Sequence, residues 1–362
     1  MPYQLIAAPL SLYSGKVRGY MRWKNIAYRE VLSSRSVYQD TIMPRIGYPI
    51  IPIMITPDDQ TVQDTTDMIE YIEAHETTAS ITPTTPKQHL AALIFELFGD
   101  EYLRTAAMHY RWNYNKEFAW AEFGATAAPH LGKPEQLEVG KTAATKFMGM
   151  LPALGITDKS IPAIEASYEQ FLSLFNTHLE THSQLLGTRP SIGDYGLLGP
   201  LYAHNYRDPA SGEIMKRLAP NVAKWCLGTH APQHPLSGDF LEDDLIPHTL
   251  IPLLKMFTQE QLPILLNTAK HLQIWAQDKE TGTEVPRALG MHTININGTE
   301  ENAAIIPYSL WMYQRVTDYV ATLEHEDLAS VKSLLKTIGA EIIAIPNTTP
   351  RLTRKNFKLV LA

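Results

Sequence analysis

Apolar and polar positions in the first 75 residues form short runs of two kinds. Residues 3–8 (YQLIAA) read as a buried strand. From Gly15 the apolar positions Val17, Met21 and Ile26 recur on one helical face, with Lys16, Arg18 and Lys24 expected to face water. Tyr28 to Leu32 reads as a second strand, and Pro44 to Gly47 is turn chemistry. Ile50 to Ile55 is an apolar run broken by Pro52 and closed by Pro57-Asp58-Asp59. Val62 opens another short strand, and Thr65 precedes a helix carrying Met68, Ile69, Tyr71 and Ile72. The predicted order is β-α-β-turn-β-β-α.

The pattern then changes. Residues 77–86 (TTASITPTTP) lose all periodicity, as a linker does. From Lys87 to about Leu227 the chain is helical almost throughout: Leu90, Leu93, Ile94, Leu97 and Phe98 mark one face, Ala163 to Leu185 a long helix, and Pro190-Ser191-Ile192-Gly193-Asp194 the start of another. Residues 230–239 (HAPQHPLSGD) form a second break. Beyond it, Leu241 to Met256 and Gln259 to Gln277 read as helices, with Pro263 acceptable in a first turn. Asn297-Gly298 between alternating residues signals a hairpin. Pro307 to Leu323 and Asp327 to Ile338 read as helices, and Ala340 to Ile345 and Phe357 to Leu361 as late strands. No internal repeat is present. The expected organisation is 1–76, an α/β domain; 77–87, a linker; 88–230, an all-helical domain; and 231–362, a mostly helical extension with a small β-hairpin.

Composition narrows the class without naming a chemistry. Hydrophobic residues make up 44% of 362, so the chain has enough apolar content for packed cores and too much for disorder. The net charge of −7 disfavours a broad nucleic-acid footprint, which needs a basic face. One cysteine, Cys226, excludes an intrachain disulfide framework and a cysteine-based zinc cluster, and its apolar helical context reads as a buried thiol. No apolar run reaches a membrane span, and Met1 to Ser14 lacks a basic start and a long apolar stretch, so a cytoplasmic location is expected. The sequons Asn297-Gly298-Thr299 and Asn347-Thr348-Thr349 then read as chance matches. His230 and His234 flank a loop and are expected to face solvent. No metal site is expected, because no other ligand types converge on them.

Four features carry candidate chemistry. Ser11-Leu12-Tyr13-Ser14-Gly15-Lys16-Val17-Arg18 is a hydroxyl-rich turn entering a helix. Ile51-Pro52 opens an apolar strand with a residue that cannot donate to a ladder, so Pro52 belongs at an edge, a strand start or a cis turn. Gln63-Asp64-Thr65-Thr66 precedes a helix, where it can cap free N–H groups or hold a carboxylate. The α/β order is the fourth. Together with Ser191-x-x-Asp194 these features resemble the glutathione S-transferases. Ser11 five residues before Lys16-Val17-Arg18 is similar to the family's thiol-activating turn. Ile51-Pro52 resembles its Val-Pro pair, and Val62-Gln63-Asp64-Thr65-x-x-Met68 its glutamyl-binding segment. Ser191-x-x-Asp194 resembles the capping box of its helical domain. The resemblance covers about residues 3 to 230.

The resemblance implies a thioredoxin-like first domain, an all-helical second domain, glutathione as co-substrate and a homodimer. It implies that Ser11, with Tyr13 and Ser14 as rivals, stabilises the glutathione thiolate for attack on a hydrophobic electrophilic small molecule. Ile51 and Pro52 would pair with the cysteinyl part of the tripeptide, Asp64 with its α-ammonium and Thr65 with its γ-glutamyl carboxylate. Arg45 is a candidate for the glycyl carboxylate. Tyr110 and Trp112, in an aromatic stretch with Arg111, are candidates for the second-substrate pocket or for core packing. Pro307 to Tyr313 is a candidate wall over that pocket, or else an added packing layer. The chain departs from the family pattern at Leu12, where proline is common, and in the longer segment Gly47 to Pro52. A binding protein without turnover and a glutathione-dependent isomerase or lyase remain alternative readings.

Overall fold

The computed structural model describes residues 2–346 and 348–362. Asn347, which opens the second sequon, lies outside the described residues. Strand β1 (Tyr3–Ala7) is almost wholly buried and lies at the centre of a four-stranded sheet of order β2-β1-β3-β4. It pairs in parallel with β2 (Tyr28–Leu32) and antiparallel with β3 (Ile53–Ile55), which pairs antiparallel with β4 (Thr61–Gln63). Helix α1 (Leu12–Trp23) joins β1 to β2. The short helices α2 (Arg35–Val37) and α3 (Met43–Ile46), linked by a π-helical turn, lead towards β3, and α4 (Thr65–His75) follows β4. This is a thioredoxin-like sheet with its helices, in the expected order.

Helix α1 differs from its predicted exposure. Lys16, Arg18 and Lys24 are buried, not solvated. The reason is non-local: α1 packs on α4, on the turn at 201–206 and on the helix at 220–230, so no face meets water. Each cation is compensated. Arg18 makes a two-pronged pair with Glu30 (2.8 and 2.6 Å) and also donates to the Ala8 carbonyl. Lys24 pairs with Glu73 at 2.7 Å and donates to the Ala79 carbonyl. Lys16 donates to the Thr66 hydroxyl at 3.2 Å. A buried charge without such partners would cost several kcal/mol, roughly.

The chain continues through α5 (Pro86–Leu97), α6 (Arg104–Tyr114), α7 (Lys116–Ala127), α8 (Lys133–Met148), α9 (Ile161–His178), α10 (Ile192–Pro200), α11 (Pro209–Leu218) and α12 (Pro220–His230). Then come α13 (Leu250–Met256), α14 (Leu262–Ala276), the hairpin of β5 (Met291–Ile296) and β6 (Thr299–Ala304), α15 (Tyr308–Thr322), α16 (His325–Ile338), and a second hairpin of β7 (Leu352–Lys355) and β8 (Lys358–Leu361). Asn297 and Gly298 turn the first hairpin with φ of 43° and 85°, the positive values that favour this dipeptide. Two compact units cut across chain order. One gathers residues 1–80, 107–151 and 195–237; the other gathers 81–106, 152–194 and 238–362. The 88–230 segment thus contributes to both.

Several features differ from expectation: the segment Pro44 to Gly47, read as a turn, lies mostly in α3, and the long helix read to Leu185 ends at His178. The predicted helix from Leu241 begins only at Leu250, because Asp243 and Asp244 take positive φ (54° and 52°) and the Asp244 carboxylate instead caps α5, accepting from the Lys87 and Gln88 N–H groups at 3.0 Å. The predicted strand at 340–345 is a 3-10 turn, Glu341–Ala344, and the true partner of the last strand is the polar run 352–355. His230 is buried rather than solvated: its ring stacks on Tyr202 at 3.6 Å and contacts the Arg22 guanidinium. Cys226 is buried, as expected, and burial pushes its thiol pKa up.

Buried histidines give the chain a specific acid sensitivity. Burial holds the pKa of His178 down at about 4. Burial, then Arg22, holds His230 down at about 3. Burial, then Arg111, holds His204 well below its usual value. All three folded values lie below the unfolded one, so their stabilising effect is complete above the unfolded pKa and is lost as pH falls towards the folded values. Asp194 acts oppositely, because burial raises its pKa to about 6. The histidines outweigh it. Urea unfolding is expected to show a net loss of about 3 kcal/mol or more between about pH 7 and about pH 4.5. A flat profile across that window would contradict this assignment.

Candidate functional site

Strand register decides which loops meet. Ile6 of β1 pairs with Ile53 of β3, and Ile53 pairs with Gln63 of β4. The end of β1, the start of β3 and the end of β4 therefore share one edge of the sheet. The residues just beyond those points are the turn from Ala8 to Ser11, the Ile51-Pro52 peptide, and Asp64-Thr65. Three segments that are far apart in sequence converge through only three rungs of pairing.

Ser11 is the N-cap of α1. Its backbone is extended (φ −76°, ψ 122°) and its hydroxyl oxygen accepts the Ser14 N–H at 3.2 Å. That geometry leaves the hydroxyl proton available for an acceptor at the helix N-terminus, where the aligned backbone dipoles favour negative charge by about 0.3–1 kcal/mol. Ser11 is half-buried, as is Tyr13, whereas Ser14 is fully buried and its oxygen accepts the Ala8 N–H at 3.4 Å. The Ser14 hydroxyl thus serves the turn's interior.

Behind this turn sits a contact that sequence reasoning missed. Arg111, from the aromatic stretch, is buried and makes a two-pronged pair with Asp208 (2.7 and 2.8 Å). Its remaining donors go to the carbonyls of Leu10 (2.8 Å) and Ala203 (2.6 Å). The carbonyl immediately before Ser11 is therefore held by a buried guanidinium. Burial raises the Asp208 pKa and lowers that of Arg111, with each partner opposing the other's shift. The only local signal was Arg111 itself, a charge inside an otherwise aromatic and apolar helix face.

The Ile51–Pro52 peptide is cis. Ile51 makes no main-chain hydrogen bond to another described residue, so its N–H and C=O remain open to a peptide-like ligand. Asp64 has φ 86° and ψ 134°, and its carboxylate caps α4 by accepting the Thr66 N–H at 2.9 Å. Thr65 occupies the first turn of α4 and is nearly fully buried. A helix N-terminus carrying a hydroxyl suits a carboxylate. Arg45 is turned away to Asp59, at 2.6 Å, and to the Thr61 hydroxyl.

Tyr110 and Trp112 are both buried; Tyr110 packs against His109 and Tyr114, and Trp112 against Phe123 and Phe147. Ser191 and Asp194 form a buried cap in which Asp194 accepts the Ser191 N–H and hydroxyl and the Leu185 N–H. In the segment 307–313, Tyr308 packs on Trp311, which in turn meets the Arg354 guanidinium. Among the described residues, no group of three or more His, Cys, Asp or Glu side chains is placed to hold a metal ion, and no helix is long and apolar enough to cross a membrane.

Residues 5–80 match the family model described as the N-terminal domain of glutathione S-transferases. Similar solved structures include a beta-etherase, LigF, from Sphingobium sp. strain SYK-6, at 15% identity over 65% of this chain and 97% of that one, with a TM-score of 0.48. A glutathione S-transferase from Rhodospirillum rubrum F11 is 15% identical over 68% of this chain and 96% of its own, with a TM-score of 0.44. One from Methylobacterium radiotolerans, in complex with glutathione sulfonate, is 17% identical over 68% of this chain and all of its own, with a TM-score of 0.41. No curated protein matches the chain.

Proposed function

We propose that this chain, whose residues 5–80 match the glutathione S-transferase N-terminal domain, binds glutathione at the shared sheet edge and activates its thiol for attack on a hydrophobic electrophile. The observation that carries the reading is the convergence there of the Ser11 hydroxyl, the open backbone of Ile51 and the Asp64-Thr65 helix start. The γ-glutamyl carboxylate would lie on the N-terminus of α4 against Thr65, and its α-ammonium against Asp64. Ile51 would pair with the cysteinyl backbone as an added strand does. The sulfur then lies near Ser11, whose O–H donates to the thiolate.

A free thiol near pKa 8.5 is mostly protonated at neutral pH, so stabilising the anion raises the concentration of the nucleophile itself. The thiol proton leaves to solvent. The sulfur lone pair then forms the new C–S bond at the electrophile, which either expels a leaving group with its electron pair or takes up a proton after addition. Holding the two reactants together supplies the rest of the acceleration.

Calorimetry with glutathione tests the binding step. Wild type should bind saturably; absence of any binding would remove the whole reading. Thr65→Val separates binding from folding. It removes a hydroxyl that has no partner among the described residues, so thermal stability should hold or rise. Glutathione affinity should fall about tenfold, the scale of one hydrogen bond to a charged group. Equal affinity in the variant would move the carboxylate site elsewhere. Binding without a thiolate absorbance band would instead favour a glutathione-binding protein that lacks turnover.

A further inference from the structure

The second unit contains a cavity of its own, of about 90 Å³, and the C-terminal third builds part of it. Strand β5 alternates exposed and buried positions, so His292, Ile294 and Ile296 face inward from the hairpin and line this space. Gly155 lets the hairpin approach closely: a Cβ there would lie 3.2 Å from Ile294. The Thr157 hydroxyl also donates to Glu301 on β6. Leu154 and Leu265 add to the apolar lining.

Two deeply buried acceptors stand out in its mixed polar lining. Gln261 and His292 are each more than nine-tenths buried. The Gln261 amide N–H donates to the Leu97 carbonyl at 3.2 Å, and its oxygen has no partner among the described residues. His292 Nδ1 meets the Asn267 side-chain oxygen at 3.1 Å, which makes Nδ1 the protonated nitrogen and Nε2 an acceptor, also without a partner there. Burial, then His271, lowers the His292 pKa, which keeps the ring neutral. A third acceptor, the Glu101 carboxylate, lines the same space beside Arg104 at 3.4 Å.

We propose that this cavity is a binding site for a small neutral molecule with an apolar body and an N–H or O–H donor, bonded by Gln261 and His292. Buried acceptors without donors are costly, and a donor-bearing occupant relieves that cost. The volume is smaller than the roughly 150 Å³ that accommodates benzene, so the occupant is a five-membered ring or a short chain. Nothing in this site draws on the Ser11 edge, so the two readings stand or fall separately.

Pyrrole and furan form the test pair, near in shape and differing in one N–H. Imidazole nitrogen resonances of the full chain, labelled at histidine, are followed during titration. Pyrrole is expected to shift one Nε2 signal saturably, and furan to bind at least about tenfold more weakly, because a site that hydrogen-bonds its ligand rejects the analogue lacking the donor. His292→Phe should lose that signal and the discrimination while glutathione affinity is unchanged. Ala303→Leu should fill the space and abolish pyrrole binding. Equal binding of the two probes, no saturable shift, or full pyrrole binding in a folded Ala303→Leu chain would each overturn the proposal.

Discussion

Arg111→Met is expected to cost about 3–5 kcal/mol of stability, because it leaves the Asp208 carboxylate buried and unpaired. Urea denaturation gives the measurement. The double variant Arg111→Met with Asp208→Leu should recover much of the loss, since replacing a whole buried pair by apolar groups is often close to neutral. The same substitution frees the Leu10 carbonyl, the acceptor directly before Ser11. In the double variant, therefore, stability returns but the turn stays unclasped. Turnover should stay low, with glutathione affinity near that of wild type, because the proposed glutathione contacts at Asp64-Thr65 and Ile51 are untouched. A loss below about 1 kcal/mol in the single variant, or full turnover in the double one, would show that the clasp does not matter.

Loss of the Ser11 hydroxyl should have the largest catalytic effect. Ser11 also caps α1, so alanine confounds chemistry with folding, whereas glycine costs a cap only a few tenths of a kcal/mol, roughly. On the proposed role of Ser11, Ser11→Gly would remove one charge-assisted hydrogen bond to the thiolate, about 1.5–3 kcal/mol, so kcat/KM should fall roughly 10- to 150-fold. The pKa of the bound thiol should rise, readable as a weaker thiolate absorbance at fixed pH, while glutathione affinity at low pH is preserved. If Tyr13→Phe shows that signature and Ser11→Gly does not, the activating hydroxyl is Tyr13.

What was legible in the sequence was local. The turn at 11–18, the Ile51-Pro52 pair and the Asp64-Thr65 helix start depend on residues within a few positions of each other, and the sheet order brings them to one edge. The Asn297-Gly298 hairpin was equally plain, since the turn conformation restricts the residue type. What was not legible depended on remote partners. The cations of α1 look solvated by periodicity alone, and only packing from residues 201–206 and 220–230 encloses them. Asp244 looks like part of a helix until α5, some 157 positions away, needs a cap. Arg45 looked open to a ligand, yet the β3–β4 turn delivers Asp59 to it. Strand β7, polar and short, has no buried face long enough to announce itself.

The interleaving of the two units has a consequence for synthesis on the ribosome. Residues 81–106 and 152–194 are made early, but they share a unit with residues 238–362, which are made later. Helix α5 packs on α13, α15 and α16, all of them late. At roughly 5–20 residues per second, its apolar face waits many seconds for the segments that cover it. The first unit has every one of its pieces by residue 237. The nascent chain thus carries one unit able to close and one still open, which makes the interval before residues 238–362 emerge a time of exposure to aggregation and of use for a chaperone.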